Sequence, residues 1–428
     1  MKKKFLVFMA GFIVVLAAVV LIAVLDAWPR EQFVPSASPT AVAATPANLA
    51  RGAYLALAGD CMACHTARGG PAYAGGRAMG TPFGALYAPN ITPDRDTGIG
   101  AWSADDFWRA LHNGKSRDGR LLYPAFPYTN YTKVTRADAD ALFAFLHNLP
   151  AVKQANTPHA LRFPYNLQAA LAGWRLLYFK PGVFEPVRAQ SPAWNRGAYL
   201  VEGLGHCSAC HSSRNAAGAP AAGLGGGLIP TIGWYAPSLT SDAEAGLGSW
   251  EVPHIVQLLK TGVSPRATVF GPMAEVVARS LQHVSEPDVA AMATYLKSLP
   301  ATKAEVGALP KGPQFDQVVA QGKKLYETHC VDCHGADGRG LAPAYPPLAG
   351  NRAITMENPV NAVRIVLNGG FAPGTAGNPR PYGMPPYSHL MNDEEIAAVV
   401  TYLRASWGNA APPVGAGEVN RYRSTPLD

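Results

Sequence analysis

The longest apolar stretch runs from Phe5 to Leu25, 21 residues without a charge, behind the basic start MKKK. A run of that length spans a bilayer as a helix, and lysines held on the cytoplasmic side place the rest of the chain outside. A cleaved signal peptide is the alternative. Against it, Leu25-Asp26-Ala27 sets a large residue where cleavage prefers a small one, and Ala41-Val42-Ala43 lies well past the apolar run. The pattern therefore favours a signal-anchor helix over 1–28, then a Pro/Ala-rich spacer over 29–48. Helical periodicity is clearest in DADALFAFLHNL, DVAAMATYLKSL and DEEIAAVVTYLRAS, where apolar residues recur every three or four positions. Each follows a capping pair: Thr135 with Asp138, Ser285 with Asp288, Asn392 with Glu395.

These three helices close three copies of one unit. RGAYL occurs at 51–55 and again at 196–200, and its glycines Gly52 and Gly197 have a counterpart in Gly322. The loop APNITPDRDTGIGAW (88–102) aligns without gaps on APSLTSDAEAGLGSW (236–250), and YPPLAGN (345–351) is a shorter counterpart. An aromatic-Leu pair recurs at Phe145-Leu146, Tyr295-Leu296 and Tyr402-Leu403. The expected fold class is all-α. Three tandem domains of the small class I cytochrome c type, at 49–155, 191–303 and 315–410, follow the anchor. Residues 156–190 form a segment packed between the first two domains, or a docking surface for a partner subunit. A linker over 304–314 and a tail over 411–428 complete the chain.

The six cysteines bring in chemistry. They form CMACH at Cys61, Cys64 and His65, CSACH at Cys207, Cys210 and His211, and CVDCH at Cys330, Cys333 and His334. Cys-x-x-Cys-His is the attachment signature of c-type haem: two thiols bind the macrocycle and the histidine binds iron. A zinc site or a redox dithiol would leave the three in-register histidines unexplained. The expectation is three covalent haems c. The 43 glycines and 38 prolines fit domains in which haem replaces part of the apolar core. The formal charge of +7 is offset in part by haem propionates, so it points to no nucleic acid.

A thioether opposite histidine raises the haem potential. The loop before the closing helix offers Met273 in FGPMAEV and Met384 in YGMPPY as axial ligands. At the matching place in the first repeat, LYPAFPY supplies Phe126, which cannot ligate iron. Met79, His112 and His147 are the alternatives there, Met62 being confined to its own motif. A five-coordinate haem is the remaining one. Each proximal histidine needs an acceptor for its second ring nitrogen, and the carbonyls of Pro89, Pro237 and Pro346 stand in matching loops.

The runs GDCMACHTA, TPFGALYAPNITPD, TGIGAWS, RGAYLVEGLGHCSACHSSRN, GPMAEVV and TYLRASWGN resemble the three-haem cytochrome c subunit of periplasmic dehydrogenases, over nearly all the chain after residue 48. The resemblance implies a place at the inner membrane, haem domains on the periplasmic side. It also implies a catalytic dehydrogenase subunit as electron donor and ubiquinone as acceptor. Phe126 departs from the alcohol and gluconate type. It leans toward cytochromes serving molybdenum-dependent aldehyde or N-heterocycle oxidation, where a small iron–sulfur subunit joins the complex. The alternatives are a quinoprotein alcohol or flavin sugar dehydrogenase partner, a ligand-binding or catalytic first haem, and a free-standing carrier to an oxidase.

Overall fold

The computed structural model describes residues 9, 11, 12, 14, 15, 42–302 and 309–425. Among the described residues two compact units emerge, one within 1–56 with 64–185 and the other within 57–63 with 186–428.

In the first unit the long helices are α1 (Pro46–Ala58), α2 (Ala104–Asn113), α3 (Arg136–His147) and α4 (Gln168–Tyr178). Thr135 caps α3 by accepting from the Asp138 amide, 3.3 Å. The Asp138 carboxylate, nearly buried, pairs with Arg51 of α1. One residue on, Gly52 meets α3 so closely that a Cβ there would overlap the Ala141 carbonyl oxygen and lie 2.6 Å from the Phe145 Cβ. The repeated arginine and glycine thus mark a helix crossing, and Leu55, Leu142 and Leu146 are buried around it.

The second unit holds the other two repeats. Its long helices are α5 (Pro192–Glu202), α6 (Val252–Thr261), α7 (Pro272–Arg279), α8 (Glu286–Lys297), α9 (Pro313–His329), α10 (Val360–Asn368), α11 (Asp393–Ala405) and α12 (Ala416–Arg423). The crossing recurs twice. Gly197 of α5 sits on Ala291 of α8, and Gly322 of α9 on Ala398 of α11. Arg196 pairs with Asp288 at 2.7 Å, and Asn392 and Glu395 form a complete capping box. The two repeats are joined by bonds to backbone. Asn361 Oδ1 accepts from the Tyr235 amide at 2.9 Å while its Nδ2 donates to the Tyr235 carbonyl at 2.8 Å. Thr355 donates to the Glu244 carbonyl at 2.7 Å.

Two expectations need correction. The fold is not all-α. Strands β1 (Ala78–Thr81), β2 (Gly84–Tyr87) and β3 (Ala160–Leu161) make an antiparallel sheet, and β4 (Gly227–Ile229) with β5 (Trp234–Ala236) makes a ribbon. Two-residue ribbons pair β6 (Val263–Ser264) with β7 (Ala267–Thr268) and β8 (Gly370–Phe371) with β9 (Gly383–Met384). Extended glycine-rich loops leave backbone donors and acceptors that must pair with something, and here they pair with one another. The N-terminal membrane anchor is not supported either. Among the described residues no helix is long and apolar enough to cross a membrane, and most of 1–28 lies outside those residues. Parts of the expected linkers at 29–48 and 304–314 lie outside them too.

The segment 156–190 packs on the first repeat. It supplies β3, and Leu171 and Ala172 of α4 bury against Leu121. Its other side leaves Phe163, Leu176 and Leu177 largely exposed.

Candidate haem sites

Each Cys-x-x-Cys-His motif forms one short turn at the end of its repeat's first helix. The three histidines then meet one local structure. His65 Nδ1 lies 2.8 Å from the Pro89 carbonyl, His211 Nδ1 2.7 Å from Pro237, and His334 Nδ1 3.1 Å from Pro346. A carbonyl only accepts, so Nδ1 carries the proton and Nε2 is left as the ligating nitrogen. Burial holds all three imidazoles below their usual pKa, against the opposing pull of the proline carbonyls. His211 falls to about 4, burial being the largest cause and the nearby Arg352 charge adding to it. Neutral imidazole is the state that binds iron.

Sequence reasoning missed a third member of this arrangement. Gly75, Gly226 and Gly340 each donate the amide to the carbonyl of the repeat's own histidine, at 2.8, 2.9 and 2.9 Å. All three have φ between +62° and +89°. Each lies against the acceptor loop. A Cβ would come 2.5 Å from Pro89 C, 2.9 Å from Ser238 N and 2.6 Å from Pro346 O respectively. Glycine is required twice over, for the positive φ and for the contact. Gly226→Ala is expected to lower stability by more than the ~1–2 kcal/mol of left-handed strain alone. Gly223→Ala is the control, since Gly223 has φ +85° and open space around it. Thermal unfolding of the two variants decides the point: equal losses would mean that the contact with the Ser238 loop carries nothing.

The cysteines form no disulfide. Burial, helped by the neighbouring thiol, pushes Cys207 up to about 12 and Cys330 to about 11. Redox dithiols need the opposite shift. Among the described residues no three or more His, Cys, Asp and Glu side chains gather as a metal cage. The raised thiols weigh against the dithiol reading.

In the second unit, Cys207, Cys210, His211 and Met273 line one continuous, mainly apolar cavity together with Cys330, Cys333, His334 and Met384. The two methionines arrive differently. Met273 lies in the first turn of α7, after Gly271 has turned the chain at φ +56° against the Trp234 ring. Met384 lies in β9, paired with Gly370.

In the first unit, Phe126 packs edge-on to Tyr131, ring centroids 5.2 Å apart. Met79 lies in β1 opposite Leu86. His147 Nε2 donates to the Ile99 carbonyl at 3.0 Å. His112 Nδ1 donates to the Thr132 carbonyl at 3.0 Å while its ring stacks on Trp108. Both histidines thus serve the local structure.

The cytochrome c family model matches residues 49–150 and 319–407. The cytochrome c subunit of the quinone-type alcohol dehydrogenase of Gluconacetobacter polyoxogenes is 39% identical, covering 90% of this chain and 87% of that protein. The chain belongs to the cytochrome c family. This cytochrome is also 40% identical to the gluconate 2-dehydrogenase cytochrome c subunit of Pantoea cypripedii, over 86% of this chain and 87% of that one. A nicotinate dehydrogenase subunit of Pseudomonas putida is 41% identical over 88% of this chain but 32% of its own length. Family membership implies covalent haem c and electron transfer, and the relatives are subunits of dehydrogenases, which implies a catalytic dehydrogenase as partner.

Proposed function

We propose that this cytochrome carries three haems c and relays electrons from a periplasmic dehydrogenase subunit to ubiquinone. The observation that carries the reading is the threefold repetition of Cys, Cys and His with Nδ1–H fixed on a proline carbonyl. In this reading Cys61 and Cys64, Cys207 and Cys210, and Cys330 and Cys333 hold the porphyrins. His65, His211 and His334 are proximal ligands, and Met273 and Met384 the distal ligands of the second and third haems. Bound haem supplies a one-electron iron couple. The chain's own part is to keep each Nε2 aimed and unprotonated, to present a soft sulfur that favours the ferrous state, and to exclude water with an apolar lining. The catalytic partner we favour oxidises an aldehyde or N-heterocycle with molybdenum and an iron–sulfur subunit. Phe126 supports this, as does the likeness to the nicotinate dehydrogenase subunit. Haem quantitation of the purified chain tests the core of the proposal: three haems per chain are expected, and two or fewer would refute it.

A second reading concerns the first haem alone. Phe126 stands where the other repeats have methionine, and His147 is already bonded through Nε2 to Ile99. An open sixth position there is expected to take up CO in the reduced protein at one haem of the three. Phe126→Met is expected to abolish that uptake and raise the first haem's potential. No CO binding in the wild type would eliminate the open site.

A further inference from the structure

Two of the three buried arginines of the third repeat, Arg352 and Arg404, invite comparison. Arg404 is fully buried and spends its guanidinium on backbone: Nε donates to Pro412, Nη1 to Ile354 and Met356, and Nη2 to Glu357, at 2.7–2.9 Å. Its role is structural. Arg352 is 8% exposed, yet it makes one hydrogen bond, from Nη2 to the Ser238 carbonyl at 3.0 Å, and lies 5.7 Å over the Trp250 ring. Among the described residues no carboxylate pairs with it. It lines the cavity that holds both cysteine–histidine–methionine sets of this unit. A buried cation without a counter-charge is costly, and such a group is retained where an anion or a useful field repays the cost.

The place of its single bond is informative. Pro237 and Ser238 are consecutive. One carbonyl takes the His211 Nδ1–H and the next takes the Arg352 Nη2–H. In the third repeat the carbonyl after the corresponding proline, Pro347, accepts instead from the neutral amide of Asn351 at 2.8 Å. The two His/Met sites have the same ligand types, but only the second repeat's histidine loop carries a cation on this carbonyl.

We propose that Arg352, carried by the third repeat, raises the reduction potential of the haem held at His211 in the second, as counter-charge to that haem and as anchor of its histidine loop. A fixed positive charge disfavours the ferric site, which is one charge more positive than the ferrous. The same field makes the imidazole a weaker electron donor. Two sites alike in ligands thereby become unequal in potential, the second above the third. Arg352 acts through charge and through the His211 loop, so it is a positioning and tuning residue.

The inference rests on the haem assignment proposed above, and redox titration of the full holoprotein tests the two separately. Fewer than three haems, or no wave moved by Met273→Ala, would fail the assignment itself. With the assignment standing, Arg352→Gln keeps a donor for Ser238 but removes the charge. It is expected to lower the reduced-to-oxidised ratio of one haem about tenfold at fixed potential, 59 mV for one electron, and that haem is the one moved by Met273→Ala. Arg352→Lys retains the charge and is expected to stay within about threefold of wild type, on the same scale. Three results overturn the proposal: no wave moved by Arg352→Gln, the Met384→Ala wave moved instead, or an equal fall in Arg352→Lys. Should Arg352→Gln not accumulate with three haems, Arg352→Lys alone decides: a wild-type potential supports the role and a tenfold fall refutes it.

Discussion

Gly322→Ala is expected to destabilise the second unit by ~2 kcal/mol, the usual cost of forcing atoms into a filled contact, or roughly 6 °C in melting temperature for a unit of this size. Propensity alone predicts the opposite sign, because alanine in a helix interior gains about 0.5–1 kcal/mol over glycine. The crossing decides. A Cβ at 322 would overlap the Ala398 carbonyl oxygen and lie 2.7 Å from the Tyr402 Cβ. Both belong to the backbone or root of α11, which cannot move aside as a flexible side-chain end does. The helices must part, and Leu403 and Val399, both buried, lose packing. Gly173→Ala is the control. That glycine lies within α4 with open space at its Cβ position, so its substitution is expected to be neutral or to raise stability. A Gly322→Ala chain that melts at or above the wild type would show that the glycine is not needed for close approach.

What the sequence made legible follows from how far each signal reaches along the chain. Capping is local, and Thr135, Ser285 and Asn392 cap the helices they were expected to cap. The recurrence of Gly52, Gly197 and Gly322 pointed to a shared need whose nature, backbone-to-backbone contact, only the crossing reveals. The proline carbonyls were legible because each loop begins with the same short pattern. The glycines behind them were not: Gly75, Gly226 and Gly340 stand 10, 15 and 6 residues after their histidines, so no fixed offset exposes them. Their constraint is three-dimensional, a positive φ beside a proline reached by a different detour each time.

The features that the sequence hid share a cause. A two-residue ladder such as Gly370–Phe371 with Gly383–Met384 is too short to show a period of two. The bonds that fuse the second and third repeats come from isolated polar residues, Asn361 and Thr355, reaching backbone more than a hundred positions away. Arg352 belongs to the same class. In the sequence it is one cation in a short turn, and its meaning depends on the carbonyl it meets and on the lack of a pairing carboxylate among the described residues.

Met384→Ala tests the assignment on which the electron-transfer reading depends most. Met384 is held by more than its own side chain. Its residue pairs with Gly370, and Tyr387, three residues on, donates its amide to Val366 at 3.0 Å and its hydroxyl to the His329 carbonyl at 2.8 Å. The loop is therefore expected to keep its course without the thioether, leaving a vacant distal position or one filled by water. Sulfur stabilises the ferrous state, so its loss is expected to lower that haem's reduced-to-oxidised ratio by at least about a hundredfold, ~120 mV at 59 mV per tenfold. New CO binding at the same haem should accompany the fall. Met273→Ala should act the same way on a different wave, since Met273 stands at the start of α7 rather than on a ribbon. Two separate waves moved by two separate methionines are what two His/Met centres require. A Met384→Ala protein with unchanged potentials and no new CO binding would reduce Met384 to a packing residue and leave the third haem without its proposed ligand.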